Sequence, residues 1–198
     1  MTGIILAGGK SSRMGFNKAF IDIGGERIID RTIKLFKRLF EEIILVTNNP
    51  AEYEEMDILT AADIVKDAGS LGGIYTGLFH ASYEYSFIAA CDMPFLNKAV
   101  ILKMMGISDG CQAVVPFVLG RYHPLHAVYS KKCIKPVEEM IKNNDLRIAN
   151  LFQKIKIKRL EEKDGPSLEQ ILSSVDNINT KEDLDRVIKS SLSQFYKI

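Results

Sequence analysis

The stretch IILAGGKSSRMGFNKA, residues 4–19, decides the fold. It begins with an unbroken apolar run, which predicts a buried β-strand over residues 4–7. Two adjacent glycines follow at once, and glycine lets a ligand approach the backbone closely because it has no Cβ atom. Arg13 and Lys18 add positive charge to the same segment. A strand that ends in a glycine-rich, basic loop predicts a binding site for a negatively charged group.

The composition is that of a globular domain. The chain has 198 residues, of which 46% are hydrophobic and 26% charged, so it can bury a substantial core and is not disordered by default. Lys and Arg number 26 against 25 Asp and Glu, a balance that gives no support for nucleic-acid binding. We therefore expect a single domain over residues 1–198, with any anion site confined to one locality.

Apolar runs and cysteines bear on the compartment. No apolar run approaches the roughly 20 residues that span a bilayer, so we expect neither membrane insertion nor a signal peptide. Cys91, Cys111 and Cys133 are widely separated and form no CxxC, which argues against a disulfide framework and a zinc knuckle. Reduced thiols and a cytoplasmic location are the simplest expectation.

The first half alternates apolar strands with helical patterns. Strands are predicted at residues 43–47, 64–66 and 87–91, and helices at residues 26–40 and 73–83. This pattern predicts a Rossmann-like, doubly wound α/β fold, with a mostly parallel sheet covered by helices on both faces. Ligands bind such sheets at the carboxyl ends of the strands. The loops that start at Ala7, Thr47, Asp67 and Asp92 should therefore open on one edge.

The second half is less regular. Strands are predicted at residues 113–118, 125–129 and 154–160, the last with one face in water because lysine and isoleucine alternate in KIKIKRL. A helix is predicted at residues 132–143. A terminal helix should begin at a cap formed by Asn179 or Thr180.

The opening loop suits a polyphosphate. Successive backbone amides of residues 8–11 would converge on an anion, while Arg13 and Lys18 supply charge. The spacing matches neither the GxxxxGK[ST] loop of common NTPases nor the GxGxxG dinucleotide fingerprint. A tight turn with no ligand is the alternative interpretation of the glycines.

Two further loops carry candidate chemistry. In CDMPF, residues 91–95, Asp92 follows a predicted strand; it is a candidate Mg²⁺ ligand or, alternatively, the N-cap of the next helix. In DAGSLGGI, residues 67–74, three glycines would let a flat base approach the backbone while Asp67 bonds to the ribose or base. A flexible connection is the alternative there.

These loops together resemble the molybdenum cofactor guanylyltransferases, a family of the nucleotidyltransferase superfamily. The opening stretch is similar to LAGGxSxRMGxxKA, GSLGGI to GPLxGI, and CDMPF to CDxPF. HPLHAVY and NINTKEDL are similar to HPxxAxY and NxNTPEDL. The resemblance implies the nucleotide-diphospho-sugar transferase type of fold, with a nucleotide-binding half at residues 1–95 and an acceptor-binding half at residues 96–198. Ser70 and Lys181 depart from the family, which has proline at both positions.

The resemblance also implies residue roles. Six residues would bind the nucleotide: Leu6, Ala7, Gly8, Lys18, Asp67 and Asp92. Arg13, Lys18 and Asp92 would be catalytic, with Asp92 as the Mg²⁺ ligand. His123, Asn177 and Asn179 would receive the acceptor. A nucleotide-contacting asparagine of some relatives aligns with Thr47, beside Asn48 and Asn49, and its equivalent is left open.

The implied reaction is the transfer of GMP from GTP to the terminal phosphate of molybdopterin, with release of pyrophosphate. GTP and molybdopterin would be the substrates, and other cofactor-assembly proteins transient partners. Backbone groups of Leu6, Ala7 and residues 69–73 would read the guanine edge. Two alternatives are a cytidylyltransferase or other relative in the superfamily, and a catalytically silent nucleotide-binding regulator. A zinc site at His123 and His126 is disfavoured because Pro124 lies between them and the surrounding residues are predicted strands, so the helical spacing that would align two metal ligands is missing.

Overall fold

The computed structural model describes residues 1–8 and 17–195, with side chains described as far as Lys189. Eight strands in these residues form one sheet. The strands are β1 (Thr2–Leu6), β2 (Glu42–Val46), β3 (Leu59–Ala61), β4 (Tyr85–Ala90), β5 (Ala113–Val118), β6 (Arg121–Tyr122), β7 (His126–Ser130) and β8 (Ile157–Leu160). The α-helices are α1 (Ile28–Phe36), α2 (Gly69–His80), α3 (Lys98–Gly106), α4 (Ile134–Lys142), α5 (Ile148–Leu151), α6 (Leu168–Val175) and α7 (Lys181–Phe195). Short 3-10 turns occur at Lys18–Phe20, Pro50–Met56, Lys131–Cys133 and Glu162–Asp164.

The sheet is mostly parallel, as the sequence predicts. Its strand order is β3-β2-β1-β4-β7-β5-β6, and β8 pairs with the other side of β5. Strands β1 to β4 are mutually parallel, β7 is antiparallel to both β4 and β5, and β8 is parallel to β5. The chain builds outward from β1 to β3 and then returns to the opposite side of β1. The strand order thus reverses between β1 and β4, which is where doubly wound sheets bind ligands.

Helices cover both faces of the sheet. A Cβ atom at Gly3 would lie 2.5 Å from the Phe40 ring and 2.6 Å from the Phe36 ring, so the α1 region packs directly on one face of β1. A Cβ atom at Gly77 would lie 2.7 Å from Ile4 Cγ2, so α2 packs equally closely on the other face. Glycine is needed at both positions because a larger side chain would separate the layers. The fold is therefore the predicted Rossmann-like α/β type.

The third strand and the start of the following helix differ from the prediction. Residues 64–66 form a bend, and the strand that pairs with β2 is Leu59–Ala61. Ile64 is 45% exposed, and its amide donates to Thr76 Oγ1 instead of a neighbouring strand. Helix α2 begins at Gly69, four residues before the predicted start. The glycine-rich segment is therefore the first turn of a helix.

The other predicted elements are confirmed within a few residues. Strand β5 has the predicted bounds, whereas β8 covers only the end of KIKIKRL. Thr180 caps the terminal helix, because its Oγ1 accepts from the Asp183 amide and the Asp183 carboxylate accepts from the Thr180 amide in return. In the described part of the chain, no helix combines the length and apolarity needed to cross a membrane.

Candidate active site

A cleft of about 720 Å³ opens at the carboxyl ends of the parallel strands. It lies where the strand order reverses, because the ends of both β1 and β4 form its floor. Its walls come from the loops after β2 and β3, the first turn of α2, and the segment between α6 and α7. The lining residues include Leu6, Gly8, Asn48, Asp63, Asp67, Gly69, Ser70, Gly73, Asp92, Leu125, Asn177 and Asn179.

Asp92 lies at the end of β4, beside the end of β1. The Cys91 amide donates to the Leu6 carbonyl oxygen at 3.0 Å, which extends the pairing of these strands to the residue before Asp92. The Asp92 side chain is 18% exposed, and its buried Oδ1 has no hydrogen-bond partner among the described residues. Burial raises the pKa of the Asp92 carboxyl, and nearby Lys18 acts in the opposite direction. Such a carboxylate has one oxygen available for a cation.

Asp92 is not the cap of the next helix. Helix α3 begins after Asn97, whose Oδ1 accepts from the amides of Ala99 and Val100. The alternative interpretation of Asp92 as an N-cap is therefore wrong. Pro94 and the turn around it place the helix several residues farther along the chain, which leaves the Asp92 side chain at the cleft.

Lys18 joins Asp92 to a segment near the end of the chain. Its Nζ lies 3.4 Å from Asp92 Oδ2 and donates to Asn179 Oδ1 at 3.0 Å. The preceding Asn17 fixes this position, because its Nδ2 donates to Tyr53 Oη at 2.8 Å and to Glu52 Oε2 at 2.6 Å. Burial raises the pKa of Tyr53 to about 12, so this phenol stays neutral near pH 7. Contacts of Asn17 thus anchor the chain beside Lys18, and the Lys18 ammonium itself contacts two residues that line the cleft.

The segment between α6 and α7 supplies two of the three predicted acceptor residues. The buried Ile178 donates its amide to the Asp92 carbonyl oxygen at 2.9 Å, and Asn177 and Asn179 line the cleft on either side of it. His123 lies in the half-buried link between β6 and β7, where its amide donates to the Pro116 carbonyl oxygen at 3.0 Å. Burial lowers the pKa of His123. The nearby Leu125, not His123, is among the residues that line the cleft.

Two carboxylates lie on the opposite wall. Asp67 adopts a φ of 59°, in the left-handed region, immediately before α2. Asp63 follows β3, and it exchanges two hydrogen bonds with Asn48: Asn48 Nδ2 donates to Asp63 Oδ2 at 2.8 Å, and the Asp63 amide donates to Asn48 Oδ1 at 3.1 Å. Asp63 is not among the predicted site residues, because the sequence pattern predicts the third strand at residues 64–66 and the strand ends at Ala61. With β3 ending at residue 61, the rule that loops after parallel strands bind ligands would have found it.

The candidates after the second strand occupy different environments. Thr47 is buried, and its Oγ1 accepts from the Asn49 amide at 3.2 Å. The Asn49 side chain donates to Glu52 Oε1 at 3.2 Å. Asn48 is the residue of the three that lines the cleft. Asn48 is therefore the candidate equivalent of the nucleotide-contacting asparagine found in some relatives.

The end of β1 is only partly described. Leu6 and Gly8 line the cleft, and Ala7 continues the sheet by donating its amide to the Val46 carbonyl oxygen at 2.9 Å. The predicted amide cluster of residues 8–11 and the predicted catalytic Arg13 fall in residues 9–16, outside the described residues apart from Gly8. Gly73 also contributes here, because a Cβ atom there would lie 3.3 Å from Leu6 Cδ2.

The site favours alignment and charge neutralisation over covalent catalysis. Cys91 lines the cleft, but burial raises the pKa of its thiol to about 12, so it is protonated and a weak nucleophile near pH 7. His126 belongs to the core: it is fully buried, and its Nε2 lies 2.6 Å from Ser174 Oγ. The groups that face the cleft are thus a cation, carboxylates and amides.

Comparisons with known proteins show the family to which the chain belongs. A family model described as the MobA-like NTP transferase domain matches residues 3–158. A molybdenum cofactor guanylyltransferase from Desulfosudis oleivorans is 39% identical over 188 residues, which covers 94% of this chain and 93% of the relative. A probable molybdenum cofactor guanylyltransferase from Clostridium perfringens strain 13 is 37% identical over 190 residues, with 93% and 94% covered.

Solved structures share the fold. Molybdopterin-guanine dinucleotide biosynthesis protein A from Archaeoglobus fulgidus superimposes with a TM-score of 0.83 at 24% identity, covering 98% of this chain and all of that chain. A 2-C-methyl-D-erythritol 4-phosphate cytidylyltransferase from Thermus thermophilus gives a TM-score of 0.70 at 16% identity, with 96% and 98% covered. At these identities the likeness concerns the fold alone.

Proposed function

The chain belongs to the MobA-like NTP transferase family and is a nucleotidyltransferase, and from this premise we propose that it transfers GMP from GTP to the terminal phosphate of molybdopterin. Pyrophosphate leaves, and the product is molybdopterin guanine dinucleotide. The substrates are suggested by the relatives, a molybdenum cofactor guanylyltransferase at 39% identity and a probable molybdenum cofactor guanylyltransferase at 37% identity.

The observation that carries the proposal is the meeting of Lys18, Asp92 and Asn179 in the cleft. Lys18 contacts the other two side chains, so one ammonium links the carboxylate after β4 to the segment before α7. The nucleotide-binding half, residues 1–95, contributes Lys18 and Asp92, and the acceptor-binding half, residues 96–198, contributes Asn179. Transfer of a group between two phosphates requires that donor and acceptor be held in one site, and residues from both halves of the chain contribute to this one.

In the proposed reaction, the residues of the cleft bind and align charged groups. Lys18 neutralises the phosphates of GTP. Arg13, which lies outside the described residues, is proposed to do the same. Asn177 and Asn179 orient the terminal phosphate of the acceptor with their amide groups. This phosphate is already an anion, so no strong general base is required. The small residues at the end of β1, together with Gly73, let the nucleotide lie close to the backbone.

The donor set fits Mg²⁺. Asp92 offers a buried Oδ1 with no hydrogen-bond partner among the described residues, and these residues contain no cluster of three or more metal-binding side chains. Mg²⁺ suits such a site because it commonly takes one or two carboxylates and completes its shell with phosphate oxygens and water. We propose that Asp92 holds the ion. When bound, it would supply positive charge to the phosphates and the departing pyrophosphate.

We propose that carboxylates and backbone groups of the opposite wall select guanine. The guanine edge presents two adjacent donors, N1–H and N2–H, which a carboxylate can accept together. Cytosine and adenine present a donor next to an acceptor, so they would leave a polar group unpaired. Asp63 and Asp67 are the candidate carboxylates, and the backbone of residues 69–73 and of Leu6 and Ala7 would complete the contact.

The proposal is tested by mixing the protein with GTP, Mg²⁺ and molybdopterin and measuring pyrophosphate release and the mass of the product. Release of one pyrophosphate per dinucleotide formed supports the proposal. Binding of GTP without release identifies the protein as a silent nucleotide-binding regulator, and a faster reaction with CTP identifies a cytidylyltransferase. Asp92→Asn protein is the control for contaminating enzymes.

The setting of the reaction is also a proposal. The three cysteines are free thiols, which suits a reducing compartment such as the cytoplasm. Molybdopterin and its guanine dinucleotide would pass from and to other cofactor-assembly proteins by transient contact.

A further inference from the structure

An arginine packs against two aromatic rings near the carboxyl ends of β5 and β8. Arg159 Cζ lies 4.4 Å from the centroid of the Phe117 ring and 5.3 Å from that of Tyr122. Its Nε donates to Tyr122 Oη at 2.8 Å. The Phe117 and Tyr122 rings are themselves in contact, with centroids 4.8 Å apart, and Phe152 supports Tyr122 from behind at 5.1 Å. We call Arg159, Phe117 and Tyr122 the arginine platform.

The charge of this platform is available to a ligand. Within the described ranges 1–8 and 17–189, no ion pair includes Arg159, although the side chain is exposed. In this part of the chain only its Nε donates a hydrogen bond, so neither Nη atom has an acceptor among the described residues. A guanidinium whose plane is already fixed loses less freedom when it binds a flat partner. The platform therefore presents an oriented cationic plane.

The platform lies on the same face of the sheet as the Leu6 side chain. Leu6 pairs with Ala90, and neighbouring residues in register point to the same face. Following the register from β4 through β7 to β5 places Ala113, Val115 and Phe117 on that face. Tyr122 pairs with Phe117, and Arg159 with Val115, so both share it. Side chains of the platform and of the cleft floor thus project from one surface.

The platform also lies at the same edge. Strands β5 and β8 run parallel to β4, so their carboxyl ends, which carry Phe117 and Arg159, meet the edge where Asp92 lies. Strand β5 is two strands from β4, or about 10 Å at the usual strand spacing. The chain itself connects the two places, because Leu125, three residues after Tyr122, lines the cleft and accepts a hydrogen bond from the Ala90 amide.

We propose that the arginine platform binds the flat ring system of the acceptor, so that Arg159 and Tyr122 are specificity-determining residues. This inference rests on the proposed function, in which the phosphate of the acceptor reaches Asp92. A pterin is a planar, bicyclic heteroaromatic group, and the platform lies on the same face and the same edge of the sheet as the cleft where the phosphate would react. The outer face of the guanidinium stacks on the ring, and the free Nη donors contact its carbonyl oxygen.

The test compares Arg159→Ala, Arg159→Lys and Tyr122→Phe with wild-type protein. Lys158→Ala is the matched control, because Lys158 is an exposed cation on the same strand but pairs with Val114, on the opposite face. We expect Arg159→Ala to raise the KM for molybdopterin about tenfold and to leave the KM for GTP within twofold. Arg159→Lys keeps the charge but not the plane, and should recover only part of the loss. Tyr122→Phe should give a smaller increase, and Lys158→Ala none.

A binding measurement separates this inference from the proposed function. Titration of 6-hydroxymethylpterin, a fluorescent pterin without phosphate, should show saturable quenching with wild-type protein and with Lys158→Ala, and weaker binding with Arg159→Ala. Equal binding by the Arg159→Ala variant, or no binding by the wild type, overturns the platform even if GMP transfer is observed. Equal losses in Arg159→Ala and Lys158→Ala also overturn it, since general charge would then explain both. Absence of GMP transfer with intact, Arg159-dependent pterin binding refutes the proposed function instead.

Discussion

The Ile178 amide donates to the Asp92 carbonyl oxygen at 2.9 Å, and this single backbone contact fixes the segment before α7 to the loop after β4. Asn177 and Asn179 flank Ile178, so their positions relative to the Asp92 carboxylate are set by the main chain and by the buried Ile178 side chain. The backbone contact therefore positions Asn177 and Asn179 relative to Asp92, although these residues are far apart in the sequence.

Asp92→Asn should reduce GMP transfer at least about a thousandfold, because the amide cannot replace the charge that binds the proposed Mg²⁺. The substitution keeps the shape of the side chain, so folding should be retained. Steady-state rates at saturating Mg²⁺ and thermal unfolding test both parts. Activity close to wild type would refute the assignment of Asp92 as the metal-binding residue.

Lys18→Ala should lower kcat/KM for GTP roughly 30-fold to 100-fold, because a charge-assisted contact to phosphate contributes about 2–3 kcal/mol. Both kcat and the affinity should fall, since the ammonium meets phosphate charge before and during bond cleavage. Lys34→Ala is the control: Lys34 is an exposed lysine that pairs with Glu26, away from the cleft. Equal effects of the two substitutions would show that Lys18 acts only through overall charge.

GTP should be preferred to CTP and ATP by about a hundredfold, because a mismatched base presents an acceptor where guanine presents a donor, which leaves a polar group of the base and one of the protein unpaired. Asp63→Asn and Asp67→Asn each convert an acceptor pair into a donor and an acceptor. The substitution that reduces the preference about tenfold identifies the carboxylate that reads guanine. If both variants keep the full preference, base selection belongs to the backbone groups of residues 69–73.

Unfolding free energy should depend on pH through His126. Burial lowers the pKa of His126 to about 4 from an ordinary 6.5, so between these values the unfolded chain binds more protons than the folded one. The contribution of His126 to the free energy of unfolding is therefore complete above pH 6.5. About 3 kcal/mol of it is lost as the pH drops towards 4. Urea unfolding of His126→Gln at pH 7.5, 6 and 5 should show a shallower decline than wild type. His80→Gln, at an exposed histidine, should keep the wild-type slope.

Gly77→Ala should destabilise the protein by about 1–3 kcal/mol, because the added methyl would lie 2.7 Å from Ile4 Cγ2 and push α2 away from β1. Gly106→Ala is the matched control, since a Cβ atom there meets nothing within 4 Å. Urea unfolding measures both. A neutral Gly77→Ala would mean that the contact between helix and strand relaxes without cost.

The sequence predicts the parts of the fold that depend on regular apolar patterns. Strand β5 is predicted with its bounds because six buried or half-buried residues follow one another. Strand β3 is missed because it is a three-residue edge strand whose Leu59 is 64% exposed, so no burial pattern marks it. The apolar pair Ile64 and Val65 suggests a strand at residues 64–66 instead, although Ile64 is exposed.

The site follows the same division. Lys18 and Asp92 can be named from motifs, because a cation after a glycine-rich strand end and a carboxylate after β4 fall on a predictable edge. Their joint contact with Asn179 cannot be predicted, since it depends on how α6 and α7 return to β4. Asp63 is not predicted, because it follows β3, which the sequence pattern does not predict. The arginine platform cannot be predicted from KIKIKRL, because nothing in that pattern distinguishes Arg159 from the other charged residues of a strand with one face exposed to solvent.

Lys18 and Asn179 are 161 positions apart in the sequence. During synthesis, the chain through β4 leaves the ribosome with Lys18 and Asp92 already present, and the strands that carry the nucleotide wall can pair at that stage. The partner that holds Lys18 in place emerges only after α6. A growing polypeptide therefore completes the contacts of Lys18 as one of its last events, and a chain synthesised only through the loop after β4 carries Lys18 and Asp92 without Asn179.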